Sequence, residues 1–400
     1  MTTQKADPVI PDLDPYVRPL LDELVRMRRD IHAHPELARE ERRTTSVVMQ
    51  ALIEAGLDPQ PLMGTGLTCD VTPPAWSHTL GLRADMDALP LAEETNLEFA
   101  STVPGVSHAC GHDMHTAIVA GAGMVLARLA REGRLESRVR LVFQPAEEIM
   151  PGGALDVISG GRLTGVDRML AVHCDPHLDA GNIGTRAGPI TSASDHVTIT
   201  VSGHGGHTSR PHLTQDVVYI LGDLATRVPA ILSRRLDPRS GVSLVWGSVH
   251  AGQAPNAIPA QGCLSGTLRC LDLETWTRAG AILREVVESV ATGYRAKVEL
   301  EHEQGVPPTV NDPASVALQD AAIVAALGPF ASVPTEQSMG GEDFAWYLKS
   351  IPGALARLGT RTPGGKTYDL HRADYIPDER AIDVGVRFLV MSALLSGSAS

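Results

Sequence analysis

The chain has few aromatic residues, no surplus of positive charge and no long unbroken apolar run, and each shortage excludes a class of protein. Five phenylalanines, six tyrosines and four tryptophans among 400 residues leave the core to Ala, Val, Leu and Ile. A formal net charge of -13 denies the molecule the basic surface that nucleic acid or an acidic membrane requires, so neither is expected as a partner. The longest mostly apolar stretch, 117–130, is interrupted by Gly121, Gly123 and Arg128. A bilayer span needs about 20 apolar residues, so this stretch reads as a buried helix. Cysteines number five (Cys69, Cys110, Cys174, Cys263 and Cys270), odd and widely spread, which is not a disulfide framework. The segment Met1 to Asp14 carries three aspartates and no apolar core, unlike a secretory signal. Both features fit a cytoplasmic protein with a cysteine free for metal chemistry.

The length suggests two or three domains at roughly 100–200 residues each. Apolar residues at helical spacing run from Tyr16 to Ile31, and a second helix fits Thr44 to Ala55, closed by Gly56. Strand-like runs at 79–83, 139–143 and 168–172 alternate with helices at 115–131 and 154–159, the rhythm of a layered α/β domain. In such sheets functional loops follow the carboxyl ends of strands. Here each run leads into a polar cluster: Asp85 and Asp87, Glu147 and Glu148, His173. The pattern changes near Gly188. Strands at 196–202, 242–249, 262–270 and 297–303 with helices at 214–234 and 273–294 suggest a small α+β unit with its helices on one sheet face. After Pro307-Pro308 the first rhythm resumes, with helices at 313–327 and 377–395. The expected organisation is therefore an α/β layered catalytic domain with a mixed or parallel sheet, split into 1–188 and 305–400. A smaller α+β domain, 189–304, interrupts it, and the tail 396–400 is expected to fray.

The chemistry centres on His108-Ala109-Cys110-Gly111-His112-Asp113-Met114-His115. A thiolate and an imidazole two residues apart, with glycine between, can curl onto one ion, and zinc and its neighbours accept sulfur, nitrogen and carboxylate oxygen together. Alone, the octapeptide also fits a satisfied polar loop. Gln144-Pro145-Ala146-Glu147-Glu148 follows an apolar strand. Adjacent strand residues point opposite ways, so the chain must turn if both carboxylates serve one site, and Pro151-Gly152-Gly153 make a turn plausible. One carboxylate could then hold metal while the other takes a proton from water. His173, beside Cys174 and His177, and His371, after Leu370, add imidazoles at further strand ends. His32 and His34 beside Pro35 read as closing the first helix. Cys69, Cys263 and Cys270 read as small buried apolar residues. His250, in the loop before Asn256, has no assigned role.

These segments resemble the M20 metallopeptidase family, in the amidohydrolase subgroup of hippurate hydrolases, aminoacylases and indole-acetyl-amino-acid hydrolases. The resemblance is carried by 83–90 (Arg-Ala-Asp-Met-Asp-Ala-Leu-Pro), 108–115, 144–148, 184–189, 203–212, 256–259, 340–344 and 370–371, in the family's order and across nearly the whole chain. It implies that Cys110, His112, Glu148, His173 and His371 hold two divalent ions per subunit (zinc, manganese, cobalt or nickel), with Cys110 bridging as thiolate. It implies Glu147 as general base, Asp87 as an orienting carboxylate and His207 as the group stabilising the oxyanion. Asn256, Arg269 and Gly340 become candidates for binding the substrate, arginine because its planar fork suits a carboxylate. The inserted domain resembles a lid and dimerisation domain, so a homodimer or higher homo-oligomer is expected. The implied activity is hydrolysis of small N-acyl amino acids to a carboxylic acid and a free amino acid. An exopeptidase acting on dipeptides is the alternative, and a non-catalytic metal-binding protein the third reading. Two positions depart from the subgroup. Cys174 after His173 is a possible soft ligand or oxidation-sensitive thiol, and Arg372 after His371 a possible positive charge at the pocket mouth.

Overall fold

The computed structural model describes residues 11–397; the expectations for residues 1–10 and for the last three residues fall outside the described residues. In chain order the first strands are Gln60–Pro61 (β1), Leu67–Val71 (β2), Thr79–Asp85 (β3), Arg138–Gln144 (β4), Arg168–Asp179 (β5), Ile183–Thr185 (β6), Gly188–Thr191 (β7) and Ala193–Ser202 (β8). There follow Gly206–His207 (β9), Ser243–Ala251 (β10), Ala257–Ile258 (β11), Gln261–Cys270 (β12), Lys297–Val306 (β13), Thr309–Asn311 (β14), Ser332–Pro334 (β15) and Gly353–Arg361 (β16). The α-helices are Asp14–Val17 (α1), Leu21–Ala33 (α2), Arg42–Glu54 (α3), His112–Arg131 (α4), Ala154–Ser159 (α5), Val217–Arg235 (α6), Leu273–Ala291 (α7), Pro313–Leu327 (α8), Ala345–Leu348 (α9) and Ala381–Ser396 (α10).

Two compact units result. One takes in the chain up to Gly188, Asn311–Glu336 and the chain from Trp346 onward; the other takes Pro189–Val310 with Gln337–Ala345. The first unit carries a mixed eight-stranded sheet in the order β1-β2-β4-β3-β5-β16-β6-β15. Its centre is parallel: β3 runs alongside β4 and β5, and β16 alongside β5. Asp85 therefore lies opposite Gln144, and Arg357 opposite His173. Strand carboxyl ends and the loops after them gather at one edge of the sheet. Both β3 and the centre of β5 are buried on both faces, as expected for strands sandwiched between helices. Helix α4 is buried along nearly its whole length. Its glycines allow that depth: a Cβ on Gly123 would stand 2.3 Å from Leu141 and one on Gly121 2.5 Å from Leu24.

The second unit has the four-stranded antiparallel sheet β10-β12-β8-β13. Val197, Ile199 and Val201 of β8 pack with Leu221 and Leu224 of α6 and Leu283 and Val287 of α7. Asp216 and Asp272 cap those two helices, accepting from the Tyr219 and Thr275 amides. The chain leaves and returns at adjacent points, because β7 pairs with β14 and the Thr191 hydroxyl meets that of Thr309 at 2.6 Å.

Several expectations need adjustment. The first helix is interrupted by a 3-10 turn at Arg18–Leu20, where Pro19 removes a backbone donor. The last helix begins at Ala381 rather than 377, because the Asp378 carboxylate and carbonyl turn the chain through the Arg380 and Ala381 amides. Ser396 is a buried helix residue rather than frayed. β13 continues to Val306, past the expected boundary at 304. His250 lies on β10 opposite Cys263, not in a loop.

Candidate metal centre

Three loops and one strand of the first unit bring the predicted ligands together. Gly111, at φ 87°, stands at the N-cap position of α4 and turns the chain between Cys110 and His112. Such a left-handed turn suits glycine, and a Cβ there would also stand 2.9 Å from the Cys174 sulfur. His173 is not a strand cap. It sits within the twelve-residue β5, and its Nε2 lies 3.6 Å from the Cys110 sulfur. Its Nδ1 meets the Cys174 carbonyl at 2.8 Å, which puts the proton on Nδ1 and leaves Nε2 a free lone pair. Glu148 Oε1 stands 3.7 Å from His112 Nε2 and 3.3 Å from His371 Nε2. His371, at φ 59°, is fastened by its amide to the Ala109 carbonyl, 2.9 Å away. Cys110, His112 and His173 form one cluster of converging donor atoms; Cys110, Glu148 and His371 form a second, sharing the sulfur. Glu147 joins His112 and Glu148 in a third.

The turn required of the two glutamates is made by Ala146, at φ 56°. Asp87 fixes the next two residues, its two oxygens accepting the Glu147 amide at 3.0 Å and the Glu148 amide at 2.9 Å. Beneath the ligands lies a buried layer. Asp85 accepts from Arg83 at 2.6 Å and pairs with His115 Nδ1 at 2.6 Å, and His115 Nε2 accepts the Cys174 amide at 2.8 Å. His115 thus holds the backbone next to His173.

The donor set fits a divalent cation. A thiol, three imidazoles and two carboxylates match borderline metals. Both His112 nitrogens and Glu148 Oε1 are buried without a hydrogen-bond partner, an arrangement that is uncommon unless something else satisfies such atoms. Burial pushes the Cys110 thiol well above its ordinary range, with Glu148 adding to it. Burial, with Arg357, holds His173 neutral. Burial also opposes charge on His112, but Asp85 outweighs it and raises its pKa well above the usual value. For His371 the Glu148 carboxylate, 3.3 Å from its Nε2, raises the pKa.

Other candidates fall elsewhere. Cys174 is fully buried with its thiol toward the Gly111 carbonyl, outside the ligand clusters, which corrects its reading as a soft ligand. His177 is exposed against Asp175, and Arg372 pairs with Asp374 at 3.0 Å. His34 does bind the end of α2, through the Asp30 carbonyl, but His32 is buried against Asp113 at 2.9 Å. In the second unit, His207 on β9 pairs with Ala257, and the Asn256 carbonyl accepts the Thr208 amide. Arg269 donates to the Met339 carbonyl beside Gly340. Those four residues thus fall into two neighbouring pairs within that unit. Sequence reasoning passes over Glu41, whose carboxylate accepts the Ala146 amide at 2.8 Å, because Glu40-Glu41-Arg42-Arg43 reads as a solvated charge run.

A family model described as peptidase family M20/M25/M40 matches residues 81–394. A Rhodococcus jostii (strain RHA1) protein named for a glutamate–cysteine ligase is 49% identical over 373 residues, 92% of this chain and 46% of that protein, so the chain spans about half its length. An N-acetyl-L-cysteine deacetylase of Bacillus subtilis (strain 168) is 35% identical over 373 residues, 93% of this chain and 87% of that one. A crystal structure of a dinuclear metal-binding peptidase of the M20 family from Bacillus subtilis superposes with a TM-score of 0.83 at 32% identity, covering 96% of this chain and 100% of that chain.

Proposed function

The chain belongs to peptidase family M20/M25/M40, and from that premise we propose how its metal centre works. It is a metal-dependent amide hydrolase acting on N-acyl amino acids. We assign Cys110, His112, Glu148, His173 and His371 to two divalent cations. The observation that supports this most is the pair of donor clusters sharing the Cys110 sulfur. Cations held there would supply Lewis acidity, which brings the pKa of water toward roughly 7.

Glu147 is the proton carrier. Its carboxylate lies 4.0 Å from His112 Nε2, close enough to serve the same small volume. It takes a proton from the attacking water and returns it to the departing amine, the division of labour expected of one acid–base group. Asp87 keeps the Glu147 and Glu148 amides in register. On the second unit, His207 is assigned to the oxyanion, Asn256 and Arg269 to the substrate's carboxylate, and Gly340 to substrate binding. An N-acylated cysteine is the substrate proposed first, since the Bacillus deacetylase and the Rhodococcus ligase are both named for cysteine. The structural relative, named as a peptidase, favours dipeptides as the second reading. Homodimerisation through the second unit is supported by its exposed Leu213, Val218, Tyr219, Val245 and Val249; sedimentation velocity tests it. Among the described residues no helix is long and apolar enough to cross a membrane. A cytoplasmic location is proposed from the spread, free cysteines.

The test is release of free amino acid from a panel of N-acyl amino acids and dipeptides, with zinc, manganese and cobalt in turn. Glu147→Gln should keep its metal and lose about 10²–10⁴-fold in turnover. Metal lost from that variant would make Glu147 a ligand instead, and cleavage of dipeptides alone would select the second reading.

A further inference from the structure

The Glu147 side chain starts from a backbone that ordinary strand geometry would not provide. Three successive amides, of Ala146, Glu147 and Glu148, donate to two buried carboxylates. Asp87 takes the second and third. Glu41 takes the first, reaching across from the N-cap position of α3. Glu41 is fully buried, and its other oxygen accepts the Thr65 hydroxyl at 2.5 Å. The amide it holds belongs to the residue at φ 56°, a conformation that non-glycine residues keep only when their surroundings impose it. From the far side the Gly153 amide closes on the Ala146 carbonyl at 2.9 Å, and a Cβ on Gly153 would stand 1.9 Å from the Pro145 carbonyl oxygen. The turn has no slack there. Glu41 supplies the acceptor that stabilises the left-handed Ala146, and Ala146 decides where Glu147 points.

We propose that Glu41 is a positioning residue for the proton carrier, acting through the Ala146 amide; this rests on Glu147 being that carrier. Removing the acceptor leaves a buried donor unsatisfied and frees residue 146 to relax, so Glu147 departs from its place. Because Glu41 touches none of the five assigned ligands, metal loading should not change.

The experiment compares Glu41→Gln, Glu41→Leu and Glu41→Leu with Ala146→Gly in the metal-loaded enzyme, reading metal content, kcat and KM. A carrier misplaced by about 1 Å commonly loses on the order of a hundredfold, so Glu41→Leu should lower kcat by about that factor with KM and metal content held. Glu41→Gln, whose amide oxygen still accepts from Ala146, should stay within roughly tenfold of the parent. Glycine enters the left-handed region freely, so Ala146→Gly should recover part of the loss in the Leu variant. Unchanged kcat in Glu41→Leu, equal loss in the Gln and Leu variants, or loss that follows metal content would each overturn the proposal. Should Glu41→Leu fail to fold, Thr65→Val tests the same arm. It should lower kcat several-fold at constant KM, and no change would overturn the idea. Glu147→Gln runs alongside: if it stays active, the carrier assignment falls and takes Glu41 with it, whereas an inactive Glu147→Gln beside a fully active Glu41→Leu sinks Glu41 alone.

Discussion

Cys110 is a thiol placed where its own ionisation is opposed. Burial and Glu148 keep it protonated, and Asp85 holds His112 charged against the cost of burial. A metal can bind only deprotonated forms of both. Binding must therefore release protons, and affinity must rise with pH, the sign set by two pKa values that both lie above their ordinary ranges. Zinc titrated calorimetrically in buffers of different ionisation enthalpy, between about pH 6 and pH 8, should show that release and a steady gain in affinity; a pH-independent affinity would contradict it. Deeper in the unit, Asp113 is fully buried with Arg28 at 2.7 Å and His32 at 2.9 Å. Breaking a buried pair from one side strands a charge, which costs about 3–5 kcal/mol. Asp113→Ala should lose stability on that scale in urea unfolding, with the slope unchanged. At this scale the sequence is legible where candidate site residues cluster locally, as in 108–115, or carry a family signature, as Glu147 does. Glu41, the Asp85–His115 pair and the His32–Asp113 pair are not, because each gains its meaning from a partner 30 or more residues away and no local pattern marks the pairing.

Elements are easier to read than their ends. Helix α5 and helix α8 fall where turn signals place them, since Pro313 after the Asp312 cap and Gly328 beyond Leu327 mark both limits. The sequence pattern stops β5 at 172 because Cys174-Asp175-Pro176 looks like the end of a strand; pairing with β16 carries it to Asp179. β16 itself, Gly353–Arg361, leaves no sequence signal although it is central to the sheet, because its apolar residues follow no alternation that separates a doubly buried strand from a helix. The start of α4 is the element end that matters most for chemistry. Gly111→Ala would strain a left-handed residue and press on Cys174. Overpacking of this kind costs about 1–3 kcal/mol, so the variant should show a lower unfolding midpoint without metal and weaker zinc binding. A Gly111→Ala protein that binds zinc as tightly as its parent would show that this end of α4 adapts freely.

Two units with separate hydrophobic interiors should not unfold as one. Every assigned ligand belongs to the first unit, and a ligand stabilises only the state that binds it, by about 2.7 kcal/mol at a hundredfold excess over Kd. Scanning calorimetry with and without chelator should therefore move one transition and leave the other in place. A single transition that moves as a whole would mean that the units unfold together.

The position of β16 has a consequence for synthesis. This strand lies between β5 and β6, with Gly353 beside Met169, so the middle of the large sheet has a gap until Arg361 has left the ribosome. The antiparallel four-stranded unit is translated in the meantime and needs nothing that comes after it except the short return at 337–345. The nascent chain must therefore wait with β5 and β6 unjoined, a period when exposed strand edges invite aggregation. His371, the last ligand translated, emerges after β16 itself. The five assigned ligands are therefore all present only after every strand of the large sheet has been made, and a chain released before residue 371 would carry four of them.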